Sequence, residues 1–505
     1  MNSVMLLRVS VGRIIEWLIL TMLLITLWPL CSRGEDGQLT AFHGGRYRSE
    51  LFLSNGLLAG MGSRTASLGG TCTGLEYGAE DLYWNPGRLG LLERPQAMLD
   101  LTPPLISLDA QSFVDINDLA REAVDDLAAE KGSPDLVLDP SDYPDVSARL
   151  GQRSLVPNGI LAVPVSDWSF GIGLHQALSL ELEAVGTELQ AKVYGEDEDD
   201  PENDVDLTVG ADLSLISRVQ VSALGFGLAR TIRPGWSVGL MVNRYFGSSA
   251  ADGRIQVEGI ILRAGRETAF NDPSDPWPND LYQEMSGSYQ GTGWGLKMGA
   301  SCRLRPNLSL DATLSLPSRI TLQGEMDIVQ HTVPGLDLSD DDPLDADQVD
   351  LDEPTRTETV DNPTADRVNV DLPGALCLGA AWRYRFATAL LQYARYFGEY
   401  ACRYDIAQAD LPVAYSAGLR PGHVLTVGLE AGPARLAGGM ILGKAFYERD
   451  PENEEADGEA PEEESLIVPT FSLGTGFALG RGYRLDLLLI SVPAGVMRAT
   501  TTWNF

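Results

Sequence analysis

The side chains suited to chemistry are few and scattered. Histidine, the usual general base near neutral pH, occurs four times, as His43, His175, His331 and His423. Nucleophilic catalysis needs such a base beside a serine or cysteine, with a third group to orient it. None of the four stands in a Gly-x-Ser-x-Gly or His-Glu-x-x-His pattern. His175 and His423 fall in stretches that alternate as strands, where a hydrogen-bonded structural imidazole is the simpler role. Gly438, Gly443 and Lys444 match the first part of a phosphate loop, but Ala445 stands where Ser or Thr must bind magnesium. Three acidic runs could screen divalent cations with their carboxylates, yet none has the Asp-x-Asp-x-Asp-Gly spacing of a calcium loop. No enzyme, no cofactor and no defined metal site is expected.

The acidic runs say more about architecture. The 505-residue chain carries 71 Asp and Glu against 37 Lys and Arg, a net charge of −34. Such a balance excludes nucleic acid, whose binding rests on basic patches that displace counterions. Glu196 to Asp206 holds eight acids, Asp337 to Asp366 twelve and Glu448 to Glu464 ten, with only Arg356 and Arg449 among them. These stretches therefore carry −28, which leaves −6 for everything else. The acidity belongs to low-complexity insertions on a nearly neutral scaffold.

At the N-terminus, Arg8 and Arg13 precede an apolar run from Trp17 to Leu30, and the small Ser32 and Gly34 follow before Glu35. This reads as a cleaved export signal over residues 1–34, because about 14 apolar residues fall short of the roughly 20 that a spanning helix needs. Leu30 is too large for a lipidation site at Cys31. No later segment reaches spanning-helix length without a charge, Gly or Pro. The remaining cysteines, Cys72, Cys302, Cys377 and Cys402, form no C-x-x-C pair. Their wide spacing and strand context favour single buried cysteines over disulfides.

From about residue 95 the dominant period is two. Leu308, Leu310, Ala312, Leu314 and Leu316 alternate with Ser309, Asp311, Thr313 and Ser315, and the same pattern recurs around Trp294, Leu425 and Phe471. A soluble sandwich and a membrane barrel both alternate this way, so periodicity leaves the two open. Connection length separates them. Short turns at 166–167, 231–235, 304–307, 384–387, 432–434 and 479–482 alternate with long connections at 179–210, 247–288, 329–368, 403–421 and 447–467. Tight turns at one end and long loops at the other are the habit of outer-membrane barrels. The count gives about 14 strands over residues 95–505: a transmembrane antiparallel β-barrel in a bacterial cell outer membrane. All three acidic runs (about 195–206, 337–366 and 448–464) then fall outside. In the first outer connection, Ile116, Leu119, Ala120, Ala123 and Leu127 recur at helical spacing, which predicts an amphipathic helix near 113–129, either a lid or rim packing.

Residues 35–94 lack sustained alternation and are too short to fold robustly alone, which points to the barrel interior as their support. Their runs Gly62-Ser63-Arg64-Thr65-Ala66-Ser67-Leu68-Gly69-Gly70 and Tyr77-Gly78-Ala79-Glu80-Asp81-Leu82-Tyr83-Trp84-Asn85-Pro86-Gly87 resemble the N-terminal hatch of the FadL-like outer-membrane transporters of long-chain fatty acids and aromatic hydrocarbons. That family carries a Gly-Gly-Ala element, an acidic stretch and an Asn-Pro-Ala turn; here Thr71 and Gly87 replace the two alanines. The resemblance implies a lumen plugged by residues 35–94, with Gly62, Gly69, Gly70, Asn85, Pro86 and Gly87 as hatch motif. It also implies a pocket for a hydrophobic small molecule, for which Phe42, Leu53, Leu57 and Leu58 are candidates. The terminal strand ends in Trp503 and Phe505, and an aromatic C-terminus of this kind resembles the signal read by the barrel-assembly machinery. The expected partners are that machinery, outer-membrane lipid and an apolar solute taken up passively by a monomer. Sibling barrels with the same signature carry exported proteins, so a structural carrier or anchor is the alternative.

Overall fold

The computed structural model describes residues 37–54, 61–102, 107–109, 117, 121, 124–125, 138–151, 156–195, 204–263, 265–270, 281–332, 356–360, 366–406, 413–449, 463–480, 482–492 and 497–505. The proposed signal, most of the acidic runs and the apolar positions of the 113–129 helix lie outside these residues. Asn117, Arg121, Val124 and Asp125 are helical.

The chain is almost wholly β. After β1 (Gly37–His43) and β2 (Arg46–Ser54) come β3 (Gln96–Thr102), β4 (Ser107–Asp109), β5 (Asp145–Gly151), β6 (Val156–Val165) and β7 (Trp168–Gly195). Next are β8 (Val205–Arg233), β9 (Trp236–Arg263), β10 (Arg266–Phe270), β11 (Leu281–Arg305), β12 (Leu308–Ser315), β13 (Ser318–Thr332) and β14 (Arg356–Val360). The rest are β15 (Asp366–Leu372), β16 (Gly374–Tyr384), β17 (Ala387–Phe397), β18 (Tyr400–Ile406), β19 (Val413–Ala431), β20 (Ala434–Arg449), β21 (Glu463–Ala478), β22 (Tyr483–Val492) and β23 (Arg498–Asn504).

Fourteen of these positions form the wall. β11 pairs first with β12 and then with β13, so these two are one wall strand broken at Leu316-Pro317, and β15 with β16 and β17 with β18 make two more. Each wall strand pairs antiparallel with the next, and β23 pairs with β3, Thr501 opposite Leu99, which closes the ring. Closure leaves the membrane-level sheet without an edge. Ser166, Gly235, Arg385 and Gly432 take left-handed φ in the short turns, which tightens four of the predicted ones.

The alternation resolves in favour of a membrane. On β12, Leu310 is 43% exposed while Ser309, Asp311 and Thr313 are buried. Phe170, Phe226, Trp294, Leu425, Val427 and Phe471 stand outward in the same way. A soluble sheet buries its apolar face; this one presents it, as lipid requires. Trp168, Trp236, Trp382, Tyr384 and Phe386 ring the short-turn end, where Arg230, Arg233 and Arg385 stack on Trp168, Trp236 and Tyr384. Phe246 and Trp294 mark the other boundary, Trp294 under Arg244. Trp236 and Phe246 are ten residues apart on β9. At about 3.3 Å per residue and roughly 40° tilt that is about 25 Å, the height of a barrel's apolar band.

Above this band the structure differs from the sequence-based expectation. The connections at 179–210 and 247–288 are largely strand: β7 runs to Gly195, β8 starts at Val205, β9 continues to Arg263 and β11 starts at Leu281. Period two persists there in Leu189, Ala191 and Val193 against Leu207, Val209 and Ala211, all buried, but interleaved charges such as Glu181, Glu183 and Lys192 give it the look of a loop. β6 stops alongside Leu174, so the upper length of β7 lacks that neighbour. β2 and β1 supply one instead, pairing with Ser179–Thr187 and Gln190–Gly195. Residues 37–54 therefore extend the sheet beside the upper part of β7.

Lipid contact sets a direct test. Val427, 54% exposed at the centre of the outward run Leu425–Leu429 of β19, is expected to tolerate Leu but to lose about 2–4 kcal/mol of folding free energy in Val427→Arg, measured by denaturant unfolding in liposomes.

Candidate functional site

Inside the ring lie residues 61–92: a short helix Ser63–Ser67, another at Asp81–Trp84 and a 3₁₀ turn Pro86–Leu91. Their groups meet inward-facing residues all round the wall. Ser63 N–H donates to Thr500 Oγ1 of β23 at 2.7 Å, and Gly62 N–H to Asp100 of β3. Ser472 of β21 donates to the Ser67 carbonyl. Cys72 N–H donates to Gln392 of β17, and Thr73 to Asp311 of β12, each at 2.5 Å. Lys297 of β11 donates to the Tyr83 carbonyl at 2.6 Å, and Ser237 of β9 to that of Gly87 at 2.7 Å. Leu82, fully buried, packs with Ile160 of β6 and lies against Gly171 and Gly227.

Three ionic clusters hold this plug. Arg88, 3% exposed, donates to Asp81 Oδ1 at 2.7 Å and to the carbonyls of Gly74 and Glu76, with Asp311 Oδ2 3.3 Å from its other side and Tyr77 beneath it. A second cluster sets Arg64, Arg435 and Arg484 against Glu76, Glu430 and Asp486. Arg64 lies 2.9 Å from Glu430, Arg435 2.8 Å from Asp486 and Arg484 2.8 Å from Glu76. The third sits on the closing seam, where Arg498 donates to Thr102 and faces Asp100, which also accepts from Thr500. Charges this deep are tolerable only when paired and hydrogen-bonded.

Glu80 stands beside the second cluster, whose three cations already have three acids. Burial, with Asp81 and Asp486 close by, pushes its carboxyl up to about 7 despite the nearness of Arg64. Asp81 also rises through burial, opposed by Arg88. Within the plug, Tyr83 meets His175 of β7 edge-on at 4.9 Å, and burial raises its phenol to about 12.

The hatch-motif residues converge here. Gly62, Gly69 and Gly70 have φ of 85°, 81° and 71°, a region hostile to side chains. Asn85 accepts from Gly87 N–H and donates to the carbonyls of Ala300 and Cys72, so the Asn-Pro-Gly turn is fastened to β11. Phe42 is brought elsewhere: it lies buried on β1 opposite Ala191. Leu53 pairs by its backbone with Leu180, while its side chain and all of Leu57 and Leu58 lie outside the described residues. Trp503 pairs with Tyr483 and Ala97, and Phe505 N–H donates to Pro95. Sequence reasoning missed Arg64, Arg88, Asp100, Glu430, Arg435, Asp486 and Arg498. The usable signal was a charge on the polar face of an alternating strand, as at Arg484-Leu485-Asp486-Leu487. Among the described residues no three His, Cys, Asp or Glu gather as a metal site, and no helix is long and apolar enough to cross a membrane.

A closed ring with lipid-facing apolar residues and inward polar groups defines a membrane-spanning β-barrel. No family model and no curated protein matches the sequence. Solved structures similar in overall outline include the Ralstonia pickettii toluene transporter TbuX (14% identity, 89% of this chain and 99% of that one, TM-score 0.41). Others are a Pseudomonas aeruginosa FadL homologue (13%, 90% and 98%, TM-score 0.45) and the CymD monoaromatic hydrocarbon channel (12%, 89% and 98%, TM-score 0.47).

Two outcomes follow from the ionic clusters. Arg88→Ala leaves Asp81 and Asp311 buried and unpaired, and a loss of about 3–5 kcal/mol is expected, read as earlier proteolysis between residues 61 and 92. Glu80 binds its proton more tightly folded than its usual 4.5, so its contribution favours the docked plug at low pH and is lost as pH rises from 4.5 through about 7. Protection of the plug against protease should fall over that window in the parent and stay level in Glu80→Gln.

Proposed function

We propose that the protein is an outer-membrane channel for passive uptake of hydrophobic small molecules, of the kind the FadL-like family carries, and that residues 61–92 are its hatch. One observation carries this reading. Above the plug the inward face changes from polar to apolar: Val219, Val221, Ala251, Tyr289, Ile320, Leu322, Val368 and Val370 form one buried cluster at and beyond the level of Phe246 and Trp294. A water-filled pore is lined with polar groups. An apolar lining instead withdraws a greasy solute from water at about 0.8 kcal/mol per methylene buried.

In this reading a solute enters from the long-loop end, rests against the apolar lining and passes when the hatch shifts. The plug is held by polar, paired contacts together with the apolar packing of Leu82 and Leu89 against the wall, and a shift exchanges both. The solute is an alkyl chain or an aromatic hydrocarbon, the two chemistries that a lining of branched aliphatic side chains accepts without leaving a polar group unpaired. The protein works without enzymatic chemistry, inserted in outer-membrane lipid.

The test is flux in liposomes of defined composition. Labelled oleate or toluene should cross in the presence of the protein, and deletion of residues 61–92 should raise the leak of small polar solutes. Ile320→Asp, which puts a charge in the apolar lining, should cut hydrocarbon flux at least tenfold. Absence of flux for either solute, with and without the plug, would sink the transport reading.

A further inference from the structure

The four cysteines read along the chain as isolated, but the fold brings two of them together. Cys72 is in the plug and Cys377 on the inward face of β16, and the Cys72 sulfur lies against β16 two residues from Cys377, within reach of its thiol. All four described cysteines are free thiols. The contact is held from both sides. Cys72 N–H donates to Gln392 of β17, the neighbour of β16, and the next residue, Thr73, donates to Asp311 of β12, the neighbour on the other flank. Two residues along β16 from Cys377, Gly379 gives the plug room: a Cβ there would meet Thr73 at 2.7 Å and the Cys72 sulfur at 3.5 Å. The plug backbone is thus clamped against β16 beside Cys377. The other two cysteines are differently placed. Cys302 shares the lipid-facing side of β11 with Trp294 and Met298, and Cys402 packs in the apolar cluster across from Val370.

We propose that Cys72 and Cys377 form a disulfide that tethers the hatch to the barrel wall. The inference rests on the export reading, because an oxidising compartment is what lets such a bond form and persist. The chemistry is thiol–disulfide exchange with the disulfide of a dithiol oxidase. One cysteine thiolate attacks a sulfur of that disulfide, giving a mixed disulfide. The second displaces the oxidase, which leaves as a dithiol carrying the two protons and two electrons. Because Cys72 is buried once the plug is docked, exchange belongs to assembly. The tether makes full ejection of the plug impossible and confines its movement to the arms on either side of Cys72. One arm holds the seam contacts of Gly62 and Ser63, and the other holds the Asn-Pro-Gly turn.

Peptide mapping tests the bond. Trypsin releases Cys72 in residues 65–88 and Cys377 in residues 368–383. The protein, isolated from outer membranes and alkylated in denaturant before digestion, should yield these two peptides linked, with Cys302 and Cys402 alkylated, and the linked species should vanish on reduction. Reduced protein refolded into detergent with oxidised glutathione should give the same species, which Cys377→Ser abolishes. Separately alkylated peptides from both preparations, or linkage of either to Cys302 or Cys402, would overturn the inference. If the protein is absent from outer membranes but the refolded sample links, the export reading fails while the pairing stands. If it is present there unlinked, the tether fails and the export reading stands.

Discussion

A guanidinium shut away from water has to be surrounded by acceptors, and Arg88 shows what that demands of this molecule. Its partners come from three places: Asp81 seven residues earlier, the carbonyls of Gly74 and Glu76, and Asp311 on the wall. No part of the plug can satisfy Arg88 alone, and β12 cannot leave Asp311 unpaired in the lumen. The wall and the plug are therefore conditions of each other. The same mutual dependence recurs with Arg64 and Glu430, where the cation is in the plug and the acid on β19, and with Gly62 and Asp100, where a backbone donor meets an acid on the closing strand. Placing contacts on both β3 and β23 ties the plug to the seam between the chain's first and last wall strands.

Much of the wall was legible in the sequence, because lipid outside and polar groups inside enforce period two on every strand, and tight turns at one end enforce a parity of connections. On β19 the outward Leu425, Val427 and Leu429 stand out plainly against Thr426 and Gly428. The heights of the strands were not legible. Nothing in Glu181-Leu182-Glu183 says that β2 will run beside it, since that pairing depends on β6 being short. The ionic clusters were hidden for a related reason. Arg64 and Glu430 are 366 residues apart, and only ring closure brings them within hydrogen-bonding distance. Sequence patterns report the face a side chain takes, not the partner it meets there.

The departure from the family's hatch motif at Gly87 has a structural cause. Gly87 lies directly on the backbone of β11, where an added Cβ would come within 2.5 Å of the Gly299 carbonyl carbon. Pro86 crowds β9 just as closely, at Gly239. An alanine in the turn would force it off the wall and break the bonds from Asn85 to Ala300 and from Ser237 to Gly87. Here the turn is seated backbone to backbone, and glycine on both sides is what that seating needs. The other departure, Thr71, is also used, its hydroxyl donating to the Thr73 carbonyl next to the clamped Cys72.

Charge is partitioned by the same logic at a larger scale. Within the lumen the largest cluster is neutral, three arginines against Glu76, Glu430 and Asp486, because a buried charge without a partner is costly. Glu80 is the acid in excess, and it answers by holding its proton to about pH 7. The surplus of −28 lies in three runs that cover, in sequence, the connections from β7 to β8, from β13 to β15 and from β20 to β21, and none of their described acids joins the clusters around the plug. An apolar solute, the cargo proposed above, carries no charge and would leave that pairing undisturbed.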